Sequence, residues 1–330
     1  MFYERSTKVD VRRMSIKRFL LYMLRIRRIE FRVAEIPILA IPVLLLIRDS
    51  TPLKTFAFWE GIFIFFLLFA FGDMVNCLAD RDLDAVYKPH LSEAVYGLGV
   101  RFVTFQVLGT AALALVLSAH LSWLTGRLAL FILVTIGLAL GAAYSVPPVR
   151  LKGRGFAQLV CLWLIIFVGP MLFVALLVDA YPPPTLLVLA AAYGTLQMGV
   201  ILINTAEDYP EDLAAGIRTT VVATGLRTGV ALALALAAVG SAGLLATLTM
   251  LFRQRQAGWL WMAALLPTAC ASAYVSGSIL SLRRSIAGAD LTDQIHAVKR
   301  AARKVPLWVT IVAWSTLGAA YAFYRLSTSN

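Results

Sequence analysis

Six oxygen-bearing side chains recur at one spacing in this sequence. Asn76, Asp80 and Asp84 stand four residues apart, and Asn204, Asp208 and Asp212 repeat the pattern 128 residues later. Residues four apart share one face of an α-helix, so each set aims two carboxylates and an amide in one direction. Each set closes a long apolar stretch, where a carboxylate facing lipid costs roughly 3 kcal/mol or more. The chemistry that accounts for them is a Mg2+ cluster holding a diphosphate. Mg2+ takes oxygen ligands, keeps several waters, and is usually held by one or two carboxylates together with phosphate oxygens.

The flanking residues sharpen this reading. Asp82 points away from the Asp80/Asp84 face and is expected in solvent, whereas Asp73 lies one turn before Asn76, where it would support the ligands from deeper in the membrane. One such motif alone would also suit a capped, solvated helix end; two at a fixed offset do not. In the second copy Pro210 sits between the aspartates and should loosen or kink the helix. Glu207 and Glu211 form a neighbouring pair that would support or replace them. A third feature runs Tyr144-Ser-Val-Pro-Pro-Val-Arg150-Leu-Lys152-Gly-Arg154. The Pro-Pro pair ends a helix, and three cations follow within five residues. Cations at a leaving diphosphate stabilise the charge that develops as its bond to carbon breaks. Such a loop alone also serves membrane topology; beside two acidic motifs it becomes a diphosphate contact. Lys88 and Arg218, just past each acidic motif, are placed for the same task.

These groups need apolar elements to carry them. Sixty per cent of the 330 residues are hydrophobic and only 15% are charged, with a mean hydropathy of +0.81. The apolar residues gather into runs long enough to cross about 30 Å of hydrocarbon. Nine spans are predicted, at 33–49, 56–79, 100–119, 127–147, 157–179, 184–206, 228–251, 258–282 and 305–326. The first is interrupted by Glu35, Pro37 and Pro42. Ten Lys or Arg fall in residues 1–32. Nine spans then divide the basic residues 24 to six between the two sides of the membrane. That asymmetry puts the amino terminus in the cytoplasm, the carboxyl terminus on the opposite side, and both acidic motifs on the cytoplasmic face. The charge of +12 is thus topogenic, with some attraction to anionic lipid, and does not indicate nucleic acid. A bacterial inner membrane is the expected location.

Two segments are anticipated: a basic cytoplasmic stretch at 1–32, either amphipathic on the membrane surface or partly disordered, and one helical domain over 33–330. No cleavable signal is evident. The offset between the motifs suggests a weak repeat, spans one to four followed by five to eight. Cys77, Cys161 and Cys270 lack metal-ligand spacing, and His90, His120 and His296 are scattered, so neither zinc nor haem is indicated.

In these motifs the chain resembles the UbiA superfamily of intramembrane prenyltransferases. The resemblance rests on the two Asp-rich motifs after spans two and six, the Tyr-Ser-x-Pro-Pro-x-Arg-Leu-Lys loop, and the Asp212-x-x-Ala-Gly-x-Arg218-Thr tail. It implies an all-α, integral membrane bundle of nine helices whose cytoplasmic-side cavity binds an isoprenyl diphosphate through Mg2+. By the same resemblance Asn76, Asp80 and Asp84 would bind one metal, and Asp208 and Asp212, beside Asn204, a second. Lys88, Arg150 and Lys152 would contact diphosphate, with Tyr144 and Arg218 as further substrate contacts. Two departures from the family pattern are Cys77, where many members carry Asp, and Lys88-Pro89-His90-Leu91, where many carry an Arg-Pro.

The chemistry so implied is prenyl transfer: the allylic carbon–oxygen bond lengthens and an electron-rich, lipophilic acceptor, expected to be aromatic, captures the cation in a site that excludes water. A cyclase acting on the prenyl diphosphate without an acceptor, or a phosphosugar transferase, would use the same diphosphate site. A transporter would place its ionisable groups at the membrane midplane, where only Glu35 qualifies. Glu35 either orients or deprotonates an acceptor, or pairs with Arg32 near the interface.

Overall fold

The computed structural model describes residues 14–254 and 260–328; residues 1–13 of the predicted basic segment lie outside them. In chain order the helices are α1 (Ile16–Arg25), α2 (Arg32–Leu46), α3 (Phe56–Tyr87), α4 (Pro89–Leu98), α5 (Val100–Thr125), α6 (Leu128–Ser145), α7 (Phe156–Leu162) and α8 (Gly169–Val178). They continue as α9 (Pro184–Glu207), α10 (Tyr209–Ala214), α11 (Thr220–Thr224), α12 (Leu226–Gln254), α13 (Leu260–Ile286), α14 (Leu291–Ala302) and α15 (Val305–Thr328). A π-helical segment, Trp163–Val168, joins α7 to α8. Two short strands, β1 (Arg154–Gly155) and β2 (Arg218–Thr219), pair in parallel.

Among the described residues eight helices are long and apolar enough to cross a membrane: α3, α5, α6, α7 through α8, α9, α12, α13 and α15. With the family assignment given below, the chain is an integral, multi-pass membrane protein. The stretch expected to be the first span is α2, with 15 residues. At 1.5 Å per residue it reaches about 22 Å, short of a typical hydrocarbon core. Pro37 and Pro42 lie inside it, and each removes a backbone donor. α3 overruns its predicted end because the first acidic motif continues the helix to Tyr87. Thr55 caps its start by accepting from the Phe58 amide at 3.3 Å.

The apolar interior falls into two clusters. One joins α3, α4, α5 and α6 with part of α8, through residues such as Phe65, Met74, Leu98 and Val134. The other joins α9, α12, α13 and α15 through residues such as Tyr193, Val230, Val275 and Trp308. α9 and α12 meet closely enough that glycine is required: a Cβ on Gly240 would lie 2.1 Å from the Leu196 nitrogen, and one on Gly199 2.6 Å from the Ala233 carbonyl oxygen. Small residues let membrane helices approach to backbone contact. Outward faces carry exposed apolar side chains such as Phe105, Val116 and Val239, as lipid contact demands.

α1 is strongly amphipathic. Tyr22 is buried, and Ile26 just beyond its last turn is buried too, while Ile16, Leu20 and Leu24 remain exposed. The helix packs on α4, where the Tyr22 ring covers Gly97.

Candidate functional site

A cavity of about 590 Å³ opens between the two clusters, lined by both acidic motifs, by the cationic loop after α6 and by apolar residues of α6, the π segment and α8. Asn76, Asp80 and Asp84 reach it from one face of α3, and Asn204, Asp208 and Asp212 reach it from α9 and α10. The second set is not one continuous helix. Pro210 has no N–H for the Ala206 carbonyl, so α9 ends at Glu207, and Asp208 takes φ −81°, ψ 6° before α10 begins. The Asp212 amide still donates to the Asp208 carbonyl at 2.8 Å, which keeps both carboxylates on the cavity side.

The cationic partners of these acids come from the loop after α6 and from the end of α3. Asp80, almost fully buried, receives Arg150 at 3.1 Å and also Lys152. Lys88, which ends α3, donates to Asp208 at 3.0 Å and so ties the two motifs together across the cavity. Ser145 donates to the Asn76 side-chain carbonyl at 3.2 Å. Burial alone would lower the Lys88 pKa; the pairing with Asp208 and the charge of Asp84 outweigh it and raise the value above that of a free lysine. Burial and then the adjacent Asp208 charge push Asp212 up to about 6, against the opposing pull of Lys152 and a hydrogen bond from Thr219.

The β1–β2 pair supplies the local framework. It sets Arg154 beside Arg218 and Gly155 beside Thr219, fastening the cationic loop to the tail of the second motif. Thr220 extends the tie: its amide donates to Gln158 Oε1 at 2.9 Å and its hydroxyl to the Gly155 carbonyl at 2.9 Å. Tyr144 and Gln158 both face the cavity. Arg218 does not. Side chains alternate along a strand; Thr219 turns inward to Asp212 and Arg218 outward to solvent. Asp82 is exposed as anticipated and accepts from the Tyr96 hydroxyl.

Arg28 lines the cavity and acts electrostatically on Asp84 and Lys88, a role the sequence reading missed. It stands in a run of basic residues whose types and spacing are those of any topogenic segment. The distinguishing mark is conformational: among the described residues the non-glycine residues with positive φ are Arg28 (44°) and Arg150 (35°), two arginines held in a sparsely populated region beside one cavity.

The donor set suits a hard divalent ion that brings its own waters. Among the described residues no three His, Cys, Asp or Glu side chains converge to enclose a metal unaided. The cavity instead offers oxygens from two sides, with Lys88 and Lys152 alongside and Arg150 on Asp80. That is the pattern expected when phosphate oxygens complete the coordination.

The fold and this site define a helical membrane protein with a cavity lined by acidic and basic groups at the carboxyl ends of α3 and α9. The chain belongs to the UbiA prenyltransferase family, which matches residues 36–287. It is similar to the chloroplastic chlorophyll synthase of Oryza sativa subsp. japonica, with 27% identity over 171 residues. That match spans 49% of this chain and 43% of the relative, less than half the length of either. Among solved structures, a UbiA homologue from Archaeoglobus fulgidus bound to DMAPP and Mg2+ superposes with a TM-score of 0.59 at 19% identity, covering 88% of this chain and 98% of its own. The same homologue bound to GPP and Mg2+ gives 0.58 at 20%, covering 88% and 99%. A digeranylgeranylglyceryl phosphate synthase gives 0.63 at 14% identity, covering 93% and 100%. At these identities the structures speak to the fold.

Proposed function

We propose that the chain transfers a prenyl group from an isoprenyl diphosphate to a lipophilic acceptor, aromatic in the first instance, with Mg2+ as cofactor and diphosphate as the released product. The observation that carries this reading is the convergence of two acidic motifs and three cations, Lys88, Arg150 and Lys152, at a cavity whose other walls are largely apolar. Family membership and the prenyl diphosphate and Mg2+ held by the Archaeoglobus homologue support it.

In this reading Asn76, Asp80 and Asp84 hold one Mg2+, and Asn204, Asp208 and Asp212 a second. When bound, the ions neutralise diphosphate charge and favour departure of the leaving group. Lys88, Arg150 and Lys152 leave their carboxylate partners for the diphosphate oxygens, joined by Arg28, and stabilise charge as the allylic bond breaks. Tyr144 borders the reacting end. Leu140, Leu164, Val168 and Leu172 seat the isoprenoid chain and keep water from the carbocation. The basic stretch 1–32 lies at the cytoplasmic surface and 33–330 forms the catalytic domain. With α2 counted as a ninth crossing, the amino terminus is cytoplasmic and the carboxyl terminus opposite, as the basic asymmetry directs; a bacterial inner membrane suits this arrangement.

The test uses purified protein, Mg2+ and prenyl diphosphates of increasing length, with diphosphate release and organic-phase products followed with and without aromatic acceptors. Release requiring both Mg2+ and an acceptor is expected. Mg2+-dependent release of a terpene without acceptor would reassign the chain as a cyclase, and activity that survives Asp80→Ala with Asp208→Ala would refute the metal assignment.

A further inference from the structure

A second charged group lines the same cavity, away from the diphosphate end. Arg32 of α2 donates to Glu35 one turn on, and to Asp73 of α3 at 2.6 Å. It also donates to the Arg27 backbone carbonyl at 2.7 Å, and its guanidinium lies 5.5 Å from the centre of the Phe69 ring. The three side chains are 11–22% exposed. Asp73 stands seven residues before Asp80, two turns or about 10 Å along the same face of α3. The spacing of about 10 Å between the diphosphate end and this group leaves room, in sequence, for a metal ion, the diphosphate, the allylic carbon and the atom that attacks there.

An ion cluster like this gains little stability over apolar packing, because desolvation offsets the attraction. Its placement also differs from that of a structural tie. Glu35 and Asp73 face the cavity while Arg32 stands behind them. Each carboxylate gives one oxygen to Arg32, and among the described residues Glu35 Oε1 and Asp73 Oδ1 have no hydrogen-bond partner. Arg32 is engaged in turn by two carboxylates and a carbonyl, with the Phe69 ring beside it. The wall thus offers acceptor oxygens to a ligand and withholds its guanidinium. Two other charges stand nearby on the cavity wall, Arg28 and Glu30, which pair at 3.5 Å.

We propose that Glu35 and Asp73, fixed by Arg32, form the subsite for the prenyl acceptor, and that the acceptor it takes is a neutral hydroxyl compound and not a carboxylate. The inference rests on the prenyl-transfer reading above. The acceptor O–H donates to the free carboxylate oxygens. As the carbon–oxygen bond to diphosphate breaks, the diphosphate leaves with the bonding pair, the acceptor oxygen bonds to the allylic carbon, and the O–H proton passes to the Glu35–Asp73 pair. An acceptor carboxylate would meet two like charges and find the guanidinium occupied.

The experiment compares a 4-alkylphenol, a long-chain alcohol and a matched 4-alkylbenzoate as acceptors, with geranyl and geranylgeranyl diphosphate as donors. Mg2+-dependent binding of labelled donor is measured in parallel. At least one hydroxyl acceptor is expected to exceed the benzoate about 100-fold in kcat/KM. Glu35→Gln and Asp73→Asn should each lower that value about 10²- to 10⁴-fold, the range of a lost general base, with donor binding changed less than about twofold. The double variant frees Arg32 and should bring the benzoate within about tenfold of the hydroxyl acceptor. Equal use of benzoate and hydroxyl compounds by the unaltered protein overturns the proposal, as does donor binding with transfer to none of the three. Full activity in both single variants overturns the proton-accepting role. If the unaltered protein binds neither donor, the prenyl-transfer reading falls and takes this one with it. Should a variant fail to fold, which donor binding reports, the selectivity of the unaltered protein decides.

Discussion

Replacing Asp80 by Asn separates what the carboxylate does for the empty site from what it does for the metal-bound one. In the structure Asp80 is 6% exposed and holds two cations, Lys152 at 12% and Arg150 at 35% exposure. Removing one member of a buried pair costs about 3–5 kcal/mol, because the other charge is left uncompensated. Lys152 falls near that range, while Arg150 reaches water and adds about 0–1 kcal/mol. The amide retains one acceptor oxygen, so about 3 kcal/mol is expected for Asp80→Asn in the absence of metal and diphosphate. The second effect has the opposite origin. A ligand binding only the folded state adds about 2.7 kcal/mol at a hundred times its Kd, and that gain should be present in the unaltered protein with Mg2+ and prenyl diphosphate and lost in the variant. Thermal unfolding in detergent, with Mg2+ alone, diphosphate alone and both together, reads the two effects separately. If Asp80→Asn unfolds at the original temperature and still responds to the pair of ligands, Asp80 neither anchors the cationic loop nor holds metal, and the site argument fails.

Lys88→Met should weaken diphosphate-dependent binding of prenyl donor about tenfold or more, through loss of a charge-assisted contact, and equilibrium binding would show it; Asp82→Asn, in an exposed side chain, serves as a control expected to change nothing. Gly240→Ala forces a methyl group into the Leu196 backbone and should cost about 1–3 kcal/mol by overpacking, whereas Gly137→Ala, whose nearest neighbour would be the Leu68 side chain at 4.0 Å, should be tolerated; thermal unfolding distinguishes them. Apparent Mg2+ affinity should fall as pH drops through about 6, where Asp212 takes up a proton in the metal-free site, since a metal needs the ionised carboxylate; calorimetric titration at about pH 5 and about pH 8 would test the sign.

The sequence carries the site because its parts follow rules local to a few residues. Four-residue spacing places Asn76, Asp80 and Asp84 on one helical face, and proline after Tyr144 ends a helix where cations follow. The resemblance to a known family added how the separate motifs meet. What sequence reasoning missed depends on conformation or on pairing at a distance. Arg28 became a cavity residue through a positive φ that nothing in its type forecasts. The outward turn of Arg218 comes from the alternation of a two-residue strand, an element too short to leave a periodic pattern. α2 stops at Leu46, short of the expected bound at 49, since beyond Ile47 the chain turns polar with Arg48, Asp49 and Ser50.

The π-helical segment within the cavity wall has a consequence of its own. Its wider turns accommodate one residue more than an α-helix would over the same stretch, and Leu164 and Val168 of that segment line the cavity together with Leu172 beyond. Deleting a single residue from 163–168 would restore ordinary turns while α7 and α8 keep the faces they present, so the change would fall on the wall between them. The width of the apolar chamber along this segment is therefore set partly by one added residue. A one-codon deletion there would alter the chamber's width at that point, with every acidic and basic group of the site left as it is.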